Sequence, residues 1–244
     1  MSSRTDELEQ EINRLEEEYQ DREVPVVCLN HVTEIYYYEY FVNQDEYKFA
    51  KTNLNKKWKE LAEEFEKEEN WNFAKEAYEK ALVWNPVDLE AYFGICNQFI
   101  RMNDLELLLE YTKKAYRFCV TRATLARYYR NLGFYYLETY QPELAQEMYQ
   151  YSNLYFHSRQ ADSEIKYLEE ALKRSYQKKP VEELVQILKK AGIPVGPDPV
   201  SLGLTYEAGK QEEAAGRIET AKECYLMVYD ITQDEEIREK LRSI

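Results

Sequence analysis

The sequence predicts an all-α solenoid of helical hairpins stacked one on the next. Three observations lead there. Apolar residues recur at i, i+3, i+4 and i+7 through most of the chain, the spacing of a helix face and not of a strand. A pattern of large and small apolar residues returns about every 34 residues. The 244 residues include only seven glycines and seven prolines, too few turn formers for a loop-rich all-β fold.

The elements follow in order. Residues 5–20, TDELEQEINRLEEEYQ, put Leu8, Ile12, Leu15 and Tyr19 on one stripe with acid around it. Acid at the start of a helix suits its dipole. The stripe has two readings: a helix that caps the end of the array, or a two-heptad seam that joins two copies of the chain as a homodimer. Residues 30–42 follow a linker containing Pro25 and include the run EIYYYEYF at 34–41. His31, Ile35, Tyr38 and Val42 form a stripe, widened by Tyr37, Tyr40 and Phe41. A helix apolar over most of its girth belongs between neighbours. The expected neighbours are the amino-terminal helix and the helix carrying Trp58.

The repeat begins with WKELAEEFEKEENWNFAKEAYEKALVWNP, residues 58–86. Trp58, Leu61, Ala62 and Phe65 mark one helical face; Ala74, Tyr78 and Ala81 mark a second, and Pro86 stops it. A shift of 34 gives Tyr92, Ile95, Cys96, Phe99 and Ala115. A further 37 gives Tyr129, Leu132, Gly133 and Tyr136, with Ala145, Tyr149 and Ser152 on the second helix. A further 39 reaches Leu168, Ala171 and Leu172, then Leu184, Leu188 and Ala191. The last shift, again 37, gives Thr205, Ala208 and Gly209, then Ala221, Tyr225 and Val228. Small residues let two helix backbones approach, and large rings beside them fill the gaps. The fourth unit fits least well: Leu172 stands at a small place, and the proline-rich GIPVGPDP replaces a short exit turn. DEEIREKLRSI closes the chain as a polar-faced capping helix. The expected organisation is an amino-terminal helical extension over 1–54, three well-matched units over 55–159, and two divergent units with a cap over 160–244.

These residues resemble the tetratricopeptide repeat family. The pattern W-x2-L-[AG]-x2-[FY]…A-x3-[FY]-x2-A…P is complete in residues 55–88 and progressively weaker in later units. The resemblance implies a right-handed superhelix whose first helices line a concave groove for a peptide or protein segment. At the groove places that it assigns, the sequence has nine basic and six acidic residues, against −14 for the whole chain. A basic groove in an acidic shell suits an acidic ligand, and Arg grips carboxylate bidentately. The expected peptide-binding residues are Lys59, Phe93, Asn97, Arg101, Arg127, Arg130, Asn131 and Phe134. Asn97, Arg101, Arg127 and Arg130 form the expected groove centre, with Phe93 and Phe134 as apolar anchors. A clamp for the carboxy-terminal carboxylate of chaperones fits poorly. Lys59 and Arg127 match it, whereas Glu63, Gly94 and Asn131 do not.

The composition removes other classes. A net charge of −14 disfavours nucleic acid and anionic membranes, and the tyrosine run lacks the interleaved basic residues of a base-stacking platform. The longest apolar run, VPVVCL, is too short for membrane insertion. Cys28, Cys96, Cys119 and Cys224 show no CxxC spacing and read as buried thiols of a cytoplasmic protein. His31 and His157 are the only histidines, and no phosphate loop, dinucleotide fingerprint or HExxH occurs. No enzyme, cofactor or metal is therefore expected. A protein-interaction scaffold is the leading reading. A regulatory sensor of small peptides and a dimer through residues 5–20 stand as alternatives.

Overall fold

The computed structural model describes residues 3–244. Among them are thirteen helices and one pair of two-residue strands. The chain divides into two compact units, one up to Leu107 and one from Leu108 onward.

The amino-terminal unit contains α1 (Ser3–Glu17), α2 (Val32–Phe41), α3 (Leu54–Lys67), α4 (Trp71–Trp84) and α5 (Leu89–Met102). Strands β1 (Val26–Val27) and β2 (Lys48–Phe49), which the sequence reading did not foresee, pair in parallel on either side of α2 in the chain. The helix starts have local causes. Asn53 accepts from the Lys56 N–H, and Asp88 accepts from Glu90 and Ala91, satisfying otherwise orphaned donors. Helix α3 packs against α1 and α4, and α4 packs on to α5. Leu54, Leu61, Ala62, Phe65, Ala74 and Ala81 are buried there, as their spacing requires.

Helix α1 caps α3 within one protomer. Leu8 and Ile12 are fully buried, Glu11 pairs with Lys57, and Glu16 accepts from the indole N–H of both Trp58 and Trp84. Leu8 and Ile12 of the stripe expected to form a dimer seam are thus covered by the same chain, while Leu15 and Tyr19 are half-buried. The tyrosine run is also less enclosed than expected. Tyr37 and Tyr38 are buried, but Tyr40 is 55% exposed and Val42 is exposed too. Tyr38 meets Tyr47 edge-on at 5.0 Å, so the segment after the helix supplies one of its walls. The start of α2 is fastened by Glu34, which accepts from the Asn85 side chain at 2.8 Å.

The second unit takes in most of α6 (Leu105–Tyr116), whose first turn lies across the division. It continues with α7 (Arg122–Glu138), α8 (Pro142–Tyr155), α9 (Arg159–Leu172) and α10 (Val181–Lys190). Helices α11 (Pro199–Ala214), α12 (Ile218–Thr232) and α13 (Glu235–Ser243) complete it. A capping box between Thr121 and Thr124 starts α7. Asp198 caps α11, with Pro199 at its first position. The tight pairs are α7 with α8 and α11 with α12. Each is held by a glycine against a tyrosine: Gly133 faces Tyr149, and Gly209 faces Tyr225. Gly94 meets Tyr78 in the same way in the first unit. The fourth repeat departs from its expected register. Helix α9 runs from Arg159 to Leu172, and its core contacts are Ala161 and Leu168 against Ala145 and Tyr149. Ala191, expected at a small crossing place, is exposed, and so is Ala171, which stands where the first three units bury a larger residue. Lys173, with φ 52°, ends α9, and residues 173–180 run on before α10.

The chain then returns to α7. The Arg122 N–H donates to Asp230 of α12 at 2.8 Å, while its guanidinium donates to the carbonyls of Leu154 and Tyr155. The Tyr129 hydroxyl donates to the Pro194 carbonyl at 3.0 Å and accepts from the Gly196 N–H at 3.1 Å. The unusual exit of the fourth repeat is therefore a strap laid on α7.

Candidate binding surfaces

Of the expected groove residues, four lie in the first unit. Lys59 borders a polar cavity of about 670 Å³ that Asn30, Glu34, Lys56, Glu63 and Glu90 also line. Its ammonium is already committed, to Asp88 at 2.9 Å and Glu90 at 2.7 Å. Burial opposes the Lys59 charge, but these two carboxylates raise its pKa above the ordinary value. With Glu34, Glu60, Glu63, Asp88 and Glu90 around it, this cavity does not suit a carboxylate ligand. Phe93, expected as an apolar anchor, is only 2% exposed and belongs to the core of α5. Asn97 and Arg101 are exposed on α5, and Arg101 lies over the Trp71 ring at 5.4 Å.

The other four lie on α7. A helix turns about 100° per residue, so positions 127, 130, 131 and 134 share one face. Arg127, Arg130 and Phe134 are half-buried and Asn131 is buried. The Nη1 of Arg130 and the Nδ2 of Asn131 are shut from solvent without a hydrogen-bond acceptor. Desolvation, then the Arg127 charge, lowers the Arg130 pKa from its ordinary value. Two orphaned donors on adjacent residues, beside a second guanidinium, make a surface that gains by receiving an acceptor.

Sequence reasoning missed two features. Glu34, read only as part of a packing helix, is a half-buried carboxyl whose pKa desolvation pushes up to about 7. Its partners Asn85 and Asp88 are some fifty residues away, so no local pattern could signal it. The second feature is a cavity of about 320 Å³ between α6, α7 and the strap, with Tyr116, Tyr128, Tyr135 and Tyr136 in its walls. The doublets at 128–129 and 135–136, two helical turns apart, were a visible signal for it.

The helices and these surfaces define a class: an all-α protein of packed helical hairpins with a donor-rich face on α7. No family model matches the chain, and no curated protein matches it. Solved structures similar to it include YrrB, described as a TPR protein with an unusual peptide-binding site, at 17% identity and a TM-score of 0.40, over 77% of this chain and 91% of that one. They also include PilF of Pseudomonas aeruginosa, at 16% identity and a TM-score of 0.45, over 99% of both chains. Both scores are low, and the hairpin architecture rests on the packing described above. No helix among the described residues is long and apolar enough to cross a membrane.

Proposed function

We propose that this chain is a non-catalytic protein-interaction scaffold that binds an acidic segment of a partner on the Arg127–Arg130 face of α7. One observation carries the reading: Arg130 Nη1 and Asn131 Nδ2 are buried donors without acceptors. A carboxylate supplies what they lack, and its charge offsets the repulsion between the two guanidinium groups. Phe134, half-buried one turn on, offers apolar area beside them. Asn97 and Arg101 on α5 keep the partner-contacting role expected from sequence, whereas Lys59 and Phe93 do not. The four cysteines, all free and buried, suit a reducing cytoplasm. The division into an extension over 1–54, three units over 55–159 and a divergent remainder is retained as the repeat organisation.

The test is charge reversal. Arg127→Glu with Arg130→Glu should weaken capture of an acidic peptide by at least about 30-fold, the equivalent of about 2 kcal/mol. Far-ultraviolet circular dichroism should be unchanged. Equal binding by the folded double variant would refute the assignment.

A further inference from the structure

The side of α7 about 150° around from Arg127 and Arg130 carries a different surface. Tyr128, Leu132, Tyr135 and Tyr136 line the 320 Å³ cavity there, with Tyr116 and Lys113 from α6. Its remaining wall is the strap, including Ile193 and Pro194. From these observations we propose a second binding site, one that takes a proline-containing extended segment of a partner protein.

Three features point to that ligand. The first is a precedent within the chain. The strap reads Pro194-Val195-Gly196-Pro197, and it is seated by a tyrosine hydroxyl donating to a prolyl carbonyl, Tyr129 to Pro194. Gly196, which donates to the same tyrosine hydroxyl, has φ 78° and lies outside the cavity lining, which the strap enters only through residues 191–194. The second is the chemistry of the walls. Tyrosine rings offer flat apolar faces, and aromatic-lined grooves are the common receptor for prolyl segments. The polar side-chain groups at the walls are hydroxyls, the Lys113 ammonium and the Gln141 amide, with no carboxylate among them. Such a donor-rich lining suits a backbone rich in carbonyls and poor in N–H, which is what proline provides. The third is a wall hydroxyl that no protein group engages. Tyr128 is 2% exposed and lines the cavity, and its hydroxyl has no partner among the described residues. A ligand carbonyl would meet it as the Pro194 carbonyl meets Tyr129. The volume lies at the small end of the roughly 300–1,000 Å³ usual for ligand sites, room for a short segment and not a folded surface.

The experiment titrates the full chain with an acetylated, amidated decaproline by calorimetry. The control is a neutral Gly/Ser peptide of equal length. Saturable heat is expected with decaproline only. Tyr128→Phe, which keeps the ring, should weaken it about three- to tenfold. Tyr135→Ala, at a half-exposed position, should weaken it at least about tenfold, the scale of losing one aromatic anchor. Circular dichroism would verify that both variants fold. Arg127→Glu with Arg130→Glu should leave decaproline binding unchanged, and Tyr135→Ala should leave acidic-peptide binding unchanged, so the two sites succeed or fail separately. Decaproline binding no tighter than the control, insensitivity to both tyrosine substitutions, or loss with the arginine variant would overturn the proposal.

Discussion

Gly133→Ala tests whether helices α7 and α8 touch as closely as their residue sizes imply. A Cβ at position 133 would lie 2.8 Å from Tyr149 Cε1 and 3.0 Å from Cδ1 and Cζ. Carbon atoms prefer about 3.5–4.0 Å, so the methyl intrudes deeply. Tyr149 is buried and packs with Ala145, Ala161 and Leu168. Overpacking of this kind costs about 1–3 kcal/mol. Replacing a helix-interior glycine by alanine returns about 1 kcal/mol, leaving a net loss of about 0–2 kcal/mol. Gly203 in α11 supplies the control, since a Cβ there meets nothing within 4 Å. Gly203→Ala should stabilise by about 0.5–1 kcal/mol. The propensity gain is common to both variants, so the gap between them isolates the contact. At about 2–4 °C per kcal/mol, a gap near 2 kcal/mol separates their melting temperatures by about 4–8 °C. Thermal and urea unfolding followed at 222 nm would measure it. A Gly133→Ala protein as stable as Gly203→Ala would refute the close approach, and with it the size rule read from the repeat.

Three further perturbations give separate readings. Glu34 has an ordinary value of 4.5 and a folded-state value of about 7, so the folded protein holds this proton after the unfolded chain has released it. Stability should therefore fall as pH rises from 4.5 to 7 and level off above. Glu34→Gln should remove about 3 kcal/mol of that slope, measured as urea midpoints across the window; an unchanged profile would place the carboxyl in water. Tyr129→Phe leaves the Pro194 carbonyl and the Gly196 N–H without their partner. It should cost about 1–3 kcal/mol and accelerate hydrogen exchange in residues 192–198; unchanged exchange would mean that the strap is held by other contacts. Leu8→Asp buries a charge against α3 and should lower the urea midpoint, while the sedimenting mass stays that of one chain. Dissociation of a dimer by this substitution would favour the seam reading.

The parts of the fold that depend on local spacing could be read from the residues. Trp58, Leu61, Ala62 and Phe65 announce α3 because burial against α1 and α4 demands that period. Gly133 and Gly209 announce close crossings because a ring of Tyr149 or Tyr225 occupies the place of a side chain. The fourth repeat was misregistered for a physical reason. Leu168 is buried as the pattern expects, but α9 ends at Leu172, with Lys173 as its cap, so the residues expected to follow on the same helix fall at its end. The site divided along the same line. Arg127, Arg130, Asn131 and Phe134 share a face by periodicity alone. That Lys59 is neutralised by Asp88 and Glu90, and that Phe93 is buried, depends on packing between helices. No single stretch of sequence records it.

The most direct measurement of the central claim follows the Asn131 side-chain amide by nuclear magnetic resonance while an acidic peptide is added to the full chain. The Nδ2 protons and the neighbouring Arg130 guanidinium signals should shift saturably with the acidic peptide, less at high salt, and stay fixed with a basic peptide of equal length. Signals that stay fixed with the acidic peptide, or move equally with both, would contradict the binding role assigned to α7.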